Sequence, residues 1–211
     1  MSIRWYLAYA LSYRDIEELL LERGISVDHS TVNRWVIKYW PSLEAEFTKR
    51  YKHSVGSSWH MDETYVKVKG KWCYLYRAVD KFGQTIDFYI SKYRDTKAAQ
   101  AFFSKAIGYN GKPNKVTIDK SGANHAALKN INFKLSANYK IEVRQVKYLN
   151  NIVEQDHRFI KKIIRPMKGF KSFSSANATL IGIELHHMLR KKQHISAANK
   201  TIFQQFFDLA A

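Results

Sequence analysis

The chain has 211 residues, 45% of them apolar, with 5 Trp, 13 Tyr and 12 Phe, enough to build one sizeable core plus a small appendage and to exclude wholesale disorder. Lys and Arg number 35 against 18 Asp and Glu, a formal net charge of +17, and a field of that sign favours a polyanion: nucleic acid first, an anionic membrane surface second, with a merely solvated basic surface as the bland alternative. No apolar run is long enough to span a membrane, Arg14, Asp15, Glu17 and Glu18 break any signal-peptide pattern, and the lone Cys73 excludes an internal disulfide or a cysteine zinc site, so a reducing cytoplasm is the expected setting.

The chain opens helically. Ser12 can cap a helix with Ile16, Leu19 and Leu20 at helical spacing, and Arg23-Gly24 ends it with a residue suited to a left-handed backbone. After Ile25 to His29, Ser30 caps a second helix carrying Val32, Trp35, Val36 and Tyr39, expected to stop at Trp40-Pro41. Two short helices about a glycine turn form a helix-turn-helix pattern, whose second helix enters the major groove and faces bases with its early residues. Here those are His29, Ser30, Thr31, Asn33 and Arg34. Similar helix pairs also occur in proteins that never touch DNA. Residues 1–50 are therefore expected to form a DNA-binding segment, with a boundary between Pro41 and Ser58.

Strands follow. Ser57 to Val68, Trp72 to Val79 and Thr85 to Ser91 are rich in β-formers and are separated by turns at Lys69-Gly70-Lys71 and Lys81 to Gln84. Asp95 or Thr96 caps a helix with Ala99, Phe102, Phe103 and Ile107 on one face. Val116 to Ile118 is a short strand ending at Asp119, Ser121-Gly122 begins a helix through Leu128, and Ile141 to Val146 is a fifth strand. A helix from Asn150 to Ile164 stops at Arg165-Pro166, and a last long one spans Ser174 to Lys191. The order predicts an α/β fold, a mixed five-stranded sheet flanked by helices, over residues 55–195, with 196–211 as a C-terminal tail.

Three acids fall at telling places in that order. Asp62 lies within the first strand, Asp119 ends the fourth, and Glu154 stands in the first turns of the later helix. If the first and fourth strands are neighbours, both aspartates meet at one spot and a helix crossing that edge adds the glutamate. Clustered carboxylates repel and are costly to bury, and divalent cations offset both penalties. Two such ions suit in-line attack on a phosphodiester. Lys120, Ser121 and Gly122 start a helix, where free N–H groups favour phosphate oxygens. Lys161 follows Glu154 by two helical turns, and Arg158 and Lys162 extend the basic face. Each acid also has a plain alternative as a solvated strand position, a helix cap or a surface acid, and Glu63, Asp80, Asp87 and Asp156 are rivals that spacing leaves open.

Four stretches resemble the DDE-type transposases of bacterial insertion sequences, most closely the IS-six family. They are Ser12-Tyr13-Arg14-Asp15 through Val27-Asp28-His29-Ser30-Thr31-Val32; Trp59 to Val66; Thr117-Ile118-Asp119-Lys120; and Asn150-Asn151-Ile152-Val153-Glu154-Gln155-Asp156-His157. Lys168-Gly169-Phe170-Lys171-Ser172 is similar to the family as well. The resemblance implies an RNase H-like core, a metal triad of Asp62, Asp119 and Glu154 with supporting Lys161, and two magnesium ions for which manganese can substitute. It also implies a multimer acting on double-stranded target DNA and on terminal inverted repeats read by the helical segment, in the bacterial cytoplasm at the nucleoid. One departure stands out: family members carry a further helical stretch before the segment matching Ile3-Arg4-Trp5-Tyr6, so the DNA-reading segment is expected to be N-terminally truncated. The competing expectations are an inactive remnant, a DNA-binding protein without catalysis, or a different nuclease on the same core. His60, His125, His157, His186 and His187 show no metal-ligand spacing and are expected to be structural or DNA-adjacent.

Overall fold

The computed structural model describes residues 2–9, 11–146 and 150–210. They form α1 (Ser2–Ala8), α2 (Tyr13–Leu21), α3 (His29–Glu46), β1 (Ser58–Val68), β2 (Lys71–Asp80), β3 (Thr85–Ser91), α4 (Thr96–Asn110), β4 (Lys115–Ile118), α5 (Gly122–Phe133), β5 (Glu142–Gln145), α6 (Asn151–Ile164), α7 (Phe173–Arg190) and α8 (Ile202–Asp208). Among the described residues no helix is long and apolar enough to cross a membrane. The chain divides into two compact units: residues 54–162, and residues 1–53 together with 163–211.

The first unit is the expected mixed sheet, in the order β3-β2-β1-β4-β5. β1, β2 and β3 form an antiparallel meander, and β1–β4 and β4–β5 are parallel. The turn between β1 and β2 places both Lys69 (φ 50°) and Gly70 (φ 77°) in the left-handed region, the pair of dihedrals that matches a two-residue hairpin to strand twist. Asp95 caps α4 by accepting from the Ala98 N–H. Phe102 and Phe103 of α4 and Leu128 of α5 then bury against Trp59, Met61, Tyr76, Ala78, Val116 and Ile118. Each such side chain contributes roughly 1.5–3 kcal/mol of transfer free energy.

Alternation along β1 changes phase in mid-strand. Trp59 and Met61 are buried at its start, but Thr64, Val66 and Val68 are buried at its end, which leaves Asp62 and Glu63 half-buried at the crossover. The first part of the strand is covered on the α4–α5 side and the second part on the other. Asp62 and Glu63 lie where neither cover is complete. β4 pairs only with Ser58 to His60, so the outer edge of β1 beyond that point has no strand beside it among the described residues.

In the second unit Ser12 and Asp15 form a reciprocal capping box at the start of α2, and Gly24 takes φ 75° after it. Asp28 rather than Ser30 caps α3, its carboxylate accepting from the Ser30 and Thr31 N–H groups. α3 also runs through Pro41 to Glu46, past the stop expected at Trp40-Pro41, and is followed by a π-helical turn, Phe47–Tyr51. Proline removes one backbone donor. The helix persists because Val32, Val36, Trp40, Leu43 and Phe47 recur every three or four residues as one buried stripe. α7 is buried almost all round, and Gly182 is where it approaches Leu7 and Trp40 most closely. This packing groups residues 163–195 with the N-terminal helices, where the sequence pattern expected one 55–195 domain. The expected tail contains α8, opened by a Thr201–Gln204 capping box and packed through Phe206 against Trp40. Residues 1 and 211, the outer limits of the expected segments, lie outside the described residues.

Candidate active site

Asp62 points to the α6 side of the sheet, since its cross-strand partner Arg77 is fully buried and donates to Asp156 of α6 at 2.7 Å. α6 is amphipathic: Val153, His157 and Ile160 are buried, while Glu154, Gln155, Arg158, Lys161 and Lys162 are exposed. Where β4 leaves the edge of β1, the Asn150 amide N–H takes its place, donating to the Met61 carbonyl at 3.1 Å. Asp119 follows β4 directly, and its Oδ1 accepts from the Ser121 N–H at 2.9 Å, which fixes the carboxylate at the start of α5.

These elements enclose a cleft of about 450 Å³ lined by Asp62, Arg94, Asp119, Lys120, Asn150 and Glu154. A second recess of about 530 Å³ shares Asp62 and Glu154 and adds Glu63, Tyr65, Arg158 and Lys161. Oxygens of Asp62, Glu63 and Asp119 all lie within 4.8 Å of one another, a group that could hold a divalent metal. Glu154 lines the cleft but is not part of that tight group. Burial pushes the Asp62 carboxyl up to about 7, and Glu63, Asp119 and Glu154 add to the shift by repulsion. Glu63 is raised too, first by burial and also by Asp119, although Arg94 opposes this. Arg94 bridges the two acids, 3.4 Å from Glu63 and 3.4 Å from Asp119, and the Asn124 amide donates to Glu63 at 3.1 Å. Glu63 Oε2 and Asn150 Oδ1 are buried acceptors without a hydrogen-bond partner.

His157 lies 3.7 Å from Asp62 but is held neutral, pushed down to about 3 by burial and by the charges of Arg77 and Lys161. It is a neutral polar neighbour of the acids. The other rival acids have structural partners: Asp80 accepts from Gly56, Phe82 and Gln84 N–H groups, Asp87 pairs with Lys105, and Asp156 with Arg77. Lys162 is exposed on α6 outside both recesses.

Sequence reasoning missed the bridging role of Arg94 and the roles of Asn124 and Asn150. Arg94 sits in a loop with no periodic signal. Asn150 stood in plain view before Glu154, and its amide could be read only once the edge of β1 was known.

In the helical unit His29, Ser30 and Asn33 line a groove of about 480 Å³ with Tyr13, Phe170 and Lys171. The imidazole and backbone N–H of His29 both lie 3.0 Å from Glu17, and the Ser30 and Thr31 hydroxyls bond to Asp28. Arg34 is exposed and donates to Thr31. Of the five candidate base-reading residues, Asn33 and Arg34 are therefore the ones whose side chains are not committed to Asp28 or Glu17.

A sheet of this order, with acids on its central strand, after the adjoining parallel strand and on a crossing helix, defines the RNase H-like polynucleotidyl transferase class. Residues 56–193 match the family model of a DDE domain. The transposase for insertion sequence-like element IS431mec of Staphylococcus aureus is 44% identical over 198 residues, 93% of this chain and 85% of that protein. The Staphylococcus aureus transposase for insertion sequence element IS257 in transposon Tn4003 is similar to the same extent, 44% over 198 residues. Among solved structures, the catalytic core domain of BIV integrase aligns at a TM-score of 0.47 and 14% identity, over 72% of this chain and 95% of that one. The chain belongs to the DDE transposases of the IS-six insertion-sequence family, enzymes of the polynucleotidyl transferase type that act on DNA.

Proposed function

We propose that this transposase cuts DNA at the terminal inverted repeats of its insertion sequence and joins the freed ends to target DNA, with Asp62, Asp119 and Glu154 as the catalytic carboxylates. The observation that carries this reading is that all three line one cleft at the edge of the sheet. The donor set suits hard divalent cations: clustered, desolvated carboxylates and unpartnered buried oxygens on Glu63 and Asn150 all gain from a cation in the cleft. Two magnesium ions are the natural fit, with manganese as a substitute, and Asp62, Asp119 and Glu154 would hold them. Once bound, such ions activate a water or 3′-hydroxyl and stabilise the departing oxygen.

The protein's own groups arrange the DNA. Lys161 and Arg158, beside Asp62 and Glu154 in the second recess, hold strand phosphates, and Lys162 extends that exposed face of α6. Lys120 and the first N–H groups of α5 take a phosphate at the other wall. Arg94, 3.4 Å from both Glu63 and Asp119, offsets the repulsion between them. His29, Ser30, Thr31, Asn33 and Arg34 form the face that reads the repeats, with Asn33 and Arg34 making the base contacts. Pairing two element ends requires more than one copy of the chain, and the bacterial nucleoid is its place of action.

The test uses the full chain, magnesium, a duplex taken from the DNA flanking the gene and a plasmid target. Nicked ends and joined products are expected. Asp119→Asn should lower both by at least about 10³-fold while DNA binding persists. An Asp119→Asn variant that still cuts overturns the reading, and cleavage without joined product replaces it with a hydrolytic nuclease.

A further inference from the structure

The β1–β2 hairpin carries exposed aromatics on one face, beside the acids. Tyr65 pairs across the strands with Tyr74, and Lys67 with Trp72, so these four side chains share one side of the sheet. Tyr65 and Trp72 are 50% and 60% exposed. Their rings still touch, Tyr65 lying 6.2 Å from Trp72 and 5.4 Å from Tyr74 between centroids, and the Lys67 ammonium lies 6.0 Å from the Trp72 ring. This face is the continuation of the one covered by α4 and α5 further along the strands, and the core those helices bury stops at Tyr74 and Tyr76. Two exposed rings clustered with the half-buried Tyr74 on a strand pair are an unfilled apolar surface.

Charge and position identify the occupant. The residues around the rings are basic, with Lys67, Lys69 and Lys71 at the hairpin tip and no acid from Tyr65 to Tyr76. The platform is also continuous with the catalytic cleft, because Tyr65 lines the recess that holds Asp62, Glu154 and Lys161. Aromatic rings interleaved with lysines are the surface on which unpaired bases stack, with the cations tracking the strand. We propose that Tyr65, Trp72 and Tyr74 form a stacking platform for unpaired bases of the DNA strand next to the cleavage site. A base seated there would hold the duplex end open beside the carboxylates. This rests on the proposed strand cleavage, and its test is chosen to fail separately.

Trp72 is the one exposed tryptophan, since Trp40 and Trp59 are buried and Trp5 and Trp35 half-buried. The full chain is titrated with two oligonucleotides of one sequence, a blunt duplex and a duplex ending in a short single-stranded extension. The extended duplex should quench tryptophan emission and bind more tightly than the blunt one. Trp72→Ala should abolish the quenching and weaken binding of the extended duplex about tenfold, leaving the blunt duplex unaffected, and Trp72→Phe should restore most of the affinity. Equal binding of both duplexes by the unaltered chain, with cleavage intact, sinks the platform alone. If the chain binds neither duplex, the platform falls together with the proposed function. If Trp72→Ala instead dissociates an oligomer in sedimentation and weakens both duplexes equally, the face belongs to a second copy and the proposal is overturned.

Discussion

Asp62→Asn should stabilise the metal-free chain while it destroys catalysis. The Asp62 carboxyl, with its side chain 19% exposed, rises from 3.8 to about 7 through burial and then through repulsion from Glu63, Asp119 and Glu154. A carboxyl whose folded pKa exceeds its unfolded value stabilises the fold relative to its ionised form when protonated. That stability is complete below pH ~4 and is lost as the pH climbs through about 7. The gap corresponds to at most about 4 kcal/mol at pH 8. Asparagine removes the charge and keeps the acceptor that meets the Glu63 N–H. In EDTA at pH 8 the variant should therefore melt higher than the unaltered chain, by at most about 10 °C, and the difference should shrink toward pH 4. Magnesium should then raise the melting temperature of the unaltered chain, with about 2.7 kcal/mol expected at a hundredfold excess over Kd, and much less that of the variant. Scanning fluorimetry across pH, with and without magnesium, reads both effects. A variant no more stable than its parent at pH 8 in EDTA, or equal magnesium shifts in the two proteins, refutes the account of the cleft as a strained anionic site relieved by cations.

Other substitutions probe the supports of the site. Asp156→Ala removes a carboxylate paired with the fully buried Arg77 and should cost about 3–5 kcal/mol in urea denaturation, whereas Arg77→Met with Asp156→Leu should cost clearly less. Gly182→Ala would place a methyl 2.5 Å from Leu7 Cδ1 and 2.6 Å from Trp40 Cδ2, so a loss of about 1–3 kcal/mol and altered Trp emission are expected. Binding to DNA should fall steeply with salt. Lys161→Ala should reduce the slope of log K against log salt by about one and weaken all duplex sequences alike in an anisotropy titration.

Much of the fold was legible because local signals agreed with the tertiary outcome. Ser12 announced a capped helix, Lys69-Gly70-Lys71 a turn between strands, and a short apolar run ending at Asp119 a strand. All three formed as expected. The misreadings share a cause, which is packing overriding a local rule. Pro41 does not end α3 because the buried stripe on either side of it is continuous. Asp28 takes the capping role from Ser30 because it stands two residues earlier, immediately before the helix, with two N–H groups in reach. Residues 163–195 are a different case: the family model of the DDE domain spans 56–193, while α7 packs with α1, α3 and α8.

Glu63 shows why the site was only partly readable. Strict alternation sends Asp62 and Glu63 to opposite faces, which argues against both serving one site. The strand's free edge reconciles them. Beyond His60 β1 has lost β4, and a bare strand edge ordinarily invites pairing with another chain. Here the edge is occupied by charge: Asp62 on the α6 side, Glu63 on the α5 side, and Asp119 at the point where the departing strand lets its carboxylate meet both. Paired charges of one sign at an unpaired edge are destabilising in isolation, yet the same opening keeps these half-buried carboxylates facing the two recesses. Ending the β4 pairing at His60 leaves that edge free, and the acids gathered there raise the Asp62 carboxyl by repulsion on top of the larger effect of burial.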